Sequence, residues 1–215
     1  MIPLKDDIPS YSAPVVNYTL IAVNVLAFFY ELSQPSFTHF IFRHGFIPYM
    51  FFEKHHYITQ FLNIFESMFL HGGFMHILGN MWFLWIFGDN VEDRLGHVNF
   101  LLFYLAGGVV AFLIQGAVTP HLRAPVIGAS GAISAVIGAY LVFFPRARIT
   151  TLIFIFLFFT FIQIPAWLFI IIWFFMQYFN GVLALAGGFS HIAWFAHIGG
   201  FSFGFLFAKY YLKRL

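Results

Sequence analysis

Four polar side chains set in apolar surroundings, Ser130, His197, His76 and Asn80, have the chemistry of acyl transfer. A serine hydroxyl is a weak nucleophile until a base takes its proton, and neutral imidazole, with an ordinary pKa of about 6.5, suits that task near neutral pH. Attack on a carbonyl creates an oxyanion, for which the Ser130 backbone N–H, the Asn80 amide and His76 can act as donors. Ser130 stands in A-P-V-I-G-A-S-G-A-I-S-A-V-I-G (124–138). Pro125 ends whatever helix precedes it, and Gly128 and Gly131 flank the serine, so the backbone can turn tightly and be approached closely. Gly128 joins His76 and Asn80 as an oxyanion- or substrate-stabilising position. Each residue also has a plainer reading: Ser130 as a helix-start serine bonded to nearby backbone, His197 as a packing histidine, Asn80 as interhelical glue.

The setting for these groups is a membrane. Of 215 residues, 61% are hydrophobic, 34 are phenylalanine and only 8% are charged, against the ~25% charged typical of soluble domains. Apolar runs near the roughly 20 residues needed to span a bilayer recur along the chain. The absence of cysteine excludes disulfides and thiol chemistry. No stretch is basic enough for nucleic acid, so the expected partners are the lipid bilayer and proteins within it.

Hydropathy places six spans at about 15–32, 71–88, 97–118, 128–144, 165–179 and 191–212, following a tail at 1–14. The first run is read as a retained span, because no small-residue cleavage site follows it. Residues 34–70, mixed polar and aromatic, are expected as a loop in the membrane interface or in solvent. Residues 149–164 are expected as a buried or interfacial approach to the fifth span, and 181–190 as a Gly-rich loop. With the N-terminus cytoplasmic, seven basic residues (Lys5, Arg94, Arg146, Arg148, Lys209, Lys213, Arg214) face inward and three (Arg43, Lys54, Arg123) outward. That bias favours cytoplasmic termini and puts Ser130 at the outer end of its span.

Polar groups inside a span are costly, so those present are functional candidates. His76 and Asn80, four residues apart, share a helical face. Gly200, Gly204 and Ala208 follow His197 as a groove of small residues, and Ser130, Ser134 and Gly138 form a matching face. Packing these small-xxx-small faces, with Gly131, would bring His197 toward Ser130 at one depth. No carboxylate falls where a third catalytic member is needed; Glu66 is the least excluded. The expectation is a Ser–His dyad. His71 and His76 in H-G-G-F-M-H lack the spacing and the glutamate of a zinc protease, and no metal site is expected.

In sequence order, H-G-G-F-M-H-I-L-G-N (71–80), G-D-N-V-E-D-R-L-G (88–96), G-A-S-G (128–131) and A-H-I-G-G-F (196–201) make the chain similar to the rhomboid intramembrane serine proteases. The resemblance implies an all-α six-span bundle with Ser130 as nucleophile, His197 as base, and His76 and Asn80 as oxyanion donors. It also implies transmembrane proteins as substrates, a movable cap at 181–190, and no cofactor. Two features depart from the pattern. The Trp-Arg pair common in the first loop is missing, and Ser134 stands where some members carry an aromatic residue against the histidine. The rival readings are a catalytically silent relative that binds membrane clients, and a small transporter or channel. Substrate and oligomeric state are not written in the sequence.

Overall fold

The computed structural model describes residues 2–155, 158–187 and 192–214. In chain order these form β1 (Ile2–Asp6), α1 (Val15–Leu32), α2 (Phe37–His44), α3 (Pro48–Phe52), α4 (Tyr57–Ser67), α5 (Phe74–Leu95), α6 (His97–Val118), α7 (Ser130–Phe143), β2 (Arg148–Ile155), β3 (Phe158–Pro165), α8 (Ala166–Leu185) and α9 (Trp194–Leu212). Helices α1, α6 and α8 are long and apolar enough to cross a bilayer. With 14 residues, α7 extends for about 21 Å at 1.5 Å per residue, short of a hydrocarbon core roughly 30 Å thick.

α7 forms the centre of the bundle. Every residue from Gly131 to Tyr140 is buried, and the helix packs against α5, α6 and α9. Only small side chains allow this. A Cβ on Gly200 would stand 2.0 Å from the Gly131 carbonyl oxygen, and one on Gly204 would stand 1.9 Å from that of Ala135. α7 and α9 are therefore in backbone contact along the Gly131, Ser134, Gly200 and Gly204 faces. At the far end of α5, the buried Glu92 carboxylate accepts the Val16 and Asn17 N–H groups at 2.9 and 2.6 Å and so caps the first turn of α1.

The fold is not purely helical. Residues 148–155 and 158–165, rich in β-branched and aromatic side chains, pair as antiparallel strands in place of a helical or irregular approach. Pro165 closes β3 and precedes the first residue of α8, where its missing N–H costs nothing. The hairpin returns the chain to the end of the bundle from which it left, so α7 and α8 are joined on one side. The expected N-terminal tail is also ordered. β1 pairs antiparallel with β2, giving the order β1-β2-β3. Trp82 Nε1–H donates to the Pro3 carbonyl at 2.6 Å, and the Ser12 N–H donates to Asp93 at 2.9 Å. Tyr140 O–H donates to Asp6, placing the sheet at the end of α7 remote from Ser130.

Residues 34–70 are likewise more regular than a loop. Buried Gln60 and Asn63 hold α2, α3 and α4 together by bonding backbone: Gln60 Oε1 accepts the Ile47 N–H at 2.7 Å, and Asn63 Nδ2 donates to the Gly45 carbonyl at 3.1 Å. A mixed composition conceals such an element, because its helices are short and its polar side chains point inward. Helix α8, at the expected fifth span, continues through Leu185, past the expected start of the Gly-rich loop at Gly181. Residues 188–190, the last three of the expected cap, and His191, the expected start of the last span, lie outside the described residues.

Candidate active site

Ser130 is the first residue of α7, reached through the segment 124–129, which the first-loop residues brace. The Val126 N–H donates to the Phe46 carbonyl at 2.7 Å, and the Gly128 N–H to the Ser67 carbonyl at 2.8 Å. The Ser67 hydroxyl in turn accepts the Phe46 N–H at 2.7 Å. The serine thus emerges from a backbone fixed on both strands of this contact, at the helix end whose unpaired N–H groups and dipole favour negative charge.

His197 lies one turn into α9. Gln115 of α6 holds that turn in place, its Oε1 accepting the Phe195 and Ala196 N–H groups at 3.0 and 3.1 Å. Together with the backbone contact of α7 and α9, this sets the imidazole against the serine: His197 Nε2 is 2.8 Å from Ser130 Oγ. On its other side, Nδ1 is 2.8 Å from Oε1 of Gln177 on α8. The Trp173 and Trp194 rings flank the imidazole at centroid distances of 6.2 and 6.1 Å. Ser134, at the position where some rhomboids carry an aromatic residue, turns its hydroxyl back to the Ser130 carbonyl at 2.6 Å.

His76 and Asn80 approach from α5. The Gly72 N–H donates to His76 Nδ1 at 3.3 Å, so the ring's proton sits on Nε2, a donor. That Nε2 lies against Gly128, whose φ of +120° and lack of a side chain admit it; a Cβ there would stand 2.7 Å from Nε2 and 3.7 Å from Asn80 Nδ2. Asn80 Nδ2 is buried without a hydrogen-bond partner among the described residues, which costs about 1–3 kcal/mol in a folded protein. A buried, unpaired amide donor beside a serine–histidine pair is suited to accept charge that develops only during reaction.

All four groups line one cavity of about 840 Å³, bounded by α5, α6, α8, α9 and the 119–127 segment. Ser130, His76 and His197 are each partly exposed to it. Among the described residues no group of three His, Asp or Glu side chains is arranged to hold a metal. Glu66 hydrogen-bonds to His44 at 2.6 Å and does not reach His197.

Sequence reasoning passed over Gln177 and Gln115. The signal was present in both cases. Each is an amide in an apolar helix, where a polar side chain is stable only with a partner.

A bundle of apolar helices with a serine and a histidine in contact at one cavity belongs to the class of polytopic membrane proteins. The family model for the Rhomboid domain matches residues 58–214. The chain belongs to the rhomboid family. It is similar to Rhomboid protein 1, mitochondrial, of Saccharomyces cerevisiae, with 32% identity over 141 residues, 64% of this chain and 39% of the yeast protein. Presenilin-associated rhomboid-like protein, mitochondrial, of Homo sapiens is 34% identical over 85 residues, 39% of this chain and 22% of the human protein. A Bacillus subtilis rhomboid protein, YdcA, is 31% identical over 128 residues, 60% of this chain and 61% of the relative. The matched stretches cover less than two thirds of the length of these relatives.

Proposed function

We propose that the chain is an intramembrane serine endopeptidase that cleaves peptide bonds in or next to transmembrane segments of other membrane proteins. The observation that carries this reading is the 2.8 Å contact between His197 Nε2 and Ser130 Oγ, with the unpaired Asn80 amide buried beside it. In this reading Ser130 Oγ attacks the scissile carbonyl carbon while His197 Nε2 takes the hydroxyl proton. The carbonyl oxygen becomes an oxyanion held by Asn80 Nδ2, His76 Nε2–H and the Ser130 N–H, with Gly128 leaving room for it. The imidazolium returns its proton to the leaving amine, and water, activated by the same nitrogen, hydrolyses the acyl-enzyme. No metal or cofactor takes part.

The membrane arrangement proposed with it has α5, α7 and α9 crossing alongside α1, α6 and α8, with both termini cytoplasmic. Because α7 is short, Ser130 then lies below the outer surface and the cavity is its route to water. The alternative, a catalytically silent client-binding relative, shares this topology and differs only in chemistry.

The test is purified protein in proteoliposomes with a panel of single-span substrates, comparing wild type with Ser130→Ala and His197→Ala. Cleavage by wild type alone, with fluorophosphonate labelling lost in Ser130→Ala, is the expected result. Client binding without cleavage or labelling would establish the silent reading instead.

A further inference from the structure

The best-placed polar group that the proposed dyad does not use is the side chain of Gln177. It projects from α8, is 7% exposed, and its Oε1 lies 2.8 Å from Nδ1 of His197. The amide has one workable orientation. Its Nε2 donates to the Trp173 carbonyl one turn back at 3.2 Å. Rotating the amide by half a turn would set oxygen against that carbonyl oxygen and NH2 against the ring. With Oε1 as the acceptor, the imidazole must carry its proton on Nδ1, which leaves the Nε2 lone pair facing Ser130 Oγ at 2.8 Å. In the other tautomer Nε2–H would point at the serine, and the ring could not act as its base.

We infer that Gln177 is the third member of a Ser130–His197–Gln177 relay, a positioning residue that fixes the tautomer and the rotation of the imidazole; this rests on the protease reading above. In a soluble serine hydrolase a carboxylate performs this task and also stabilises the imidazolium. Inside a bilayer a buried carboxylate is expensive, and a neutral amide keeps the orientation while avoiding the charge. No carboxylate among the described residues contacts His197. The titratable group that bears on it is His76 across the cavity, while α6, α7 and α8 present Gln115, Ser130, Gln177 and Trp173 around it. With Ser134 in place of an aromatic residue, Gln177 of α8 supplies a hydrogen bond to the ring on the side away from Ser130.

The experiment compares wild type, Gln177→Leu, Gln177→Asn and Gln177→Glu in detergent or nanodiscs, with thermal stability measured for each. Histidine 15N NMR reads the tautomer, His197 being assigned by its loss in His197→Ala. Wild type is expected to show the proton on Nδ1, and Gln177→Leu a substantial population with it on Nε2. Cleavage and fluorophosphonate labelling should fall by about 10- to 100-fold in Gln177→Leu, in kcat with KM little changed, as when other orienting partners are removed. Gln177→Asn, one methylene too short to reach Nδ1, should behave like Gln177→Leu. Gln177→Glu keeps the acceptor and adds a charge that favours imidazolium, so activity persists and the acid limb of the pH–rate profile moves to higher pH. An unshifted limb, or a wild-type tautomer and kcat in Gln177→Leu, would overturn the inference. If no variant cleaves any substrate yet the tautomer changes as stated, Gln177 positions His197 and the protease reading is what fails.

Discussion

Gly128 and His76 are packed so closely that a single methyl group on the glycine would stand 2.7 Å from the histidine's Nε2. The φ of Gly128, +120°, also lies in a region that L side chains rarely adopt. Gly128→Ala should therefore both strain the approach to Ser130 and push His76 away from the proposed oxyanion position. We expect cleavage to fall by about 100-fold or more, the loss typical of one disrupted oxyanion donor. Cleavage rates beside thermal melting curves check this, since most of the fold does not touch this contact and should persist.

Asn80 presents the opposite balance. Its Nδ2 is buried and unpaired among the described residues, so in the proposed reaction the resting protein bears the cost of a group used only in the transition state. Asn80→Ala should lower kcat by about 10²–10³-fold, leave KM nearly unchanged and leave the melting temperature equal or raised. A large fall in melting temperature would instead make Asn80 a structural tie between helices.

Gly204 tests the scaffold apart from the chemistry. A Cβ there would meet the Ala135 carbonyl oxygen at 1.9 Å, so Gly204→Ala must force α7 and α9 apart. Overpacking of this kind costs about 1–3 kcal/mol, and the melting temperature should drop together with activity. Because Gly204 lies two turns beyond His197, labelling of Ser130 by a small fluorophosphonate should decline less steeply than cleavage of a protein substrate.

Asp6 offers a pH-dependent contact far from the site. Burial pushes its carboxyl up from the ordinary 3.8 to about 6, against a smaller opposing effect of the hydrogen bond from Tyr140. Folding therefore favours the protonated acid. The docking of β1 should be firmest below about pH 4 and should weaken as pH rises through about 6. Hydrogen exchange of the β1 amides at pH 5 and 7.5 would show faster opening at the higher pH. Asp6→Asn, neutral throughout, should remove the difference.

Much of the site was legible because membranes make polar residues conspicuous. Ser130, His197, His76 and Asn80 stand out in apolar helices, and helical spacing alone put His76 and Asn80 on one face. The small residues of α7 and α9 likewise announced a close helix pair. Gln177 escaped because its value depends on a partner twenty residues away in sequence that only the packing of α8 on α9 supplies. The strands escaped for a different reason: residues 148–165 are as apolar as a span, and hydropathy does not distinguish a pleated hairpin from a helix. What held β1 to β2 was backbone pairing between segments some 145 residues apart, which no local pattern encodes.

The sequence by itself determined the medium, the family and the inventory of reactive groups, since these follow from composition and from residue types at fixed local spacing. The tertiary structure decided which atoms meet: the imidazole between a hydroxyl and an amide, the Asn80 amide beside Gly128, the first loop bracing the approach to Ser130. Those contacts join separate helices. They depend on how whole helices pack, at contact distances near 2.8 Å, and a one-dimensional pattern does not carry such distances.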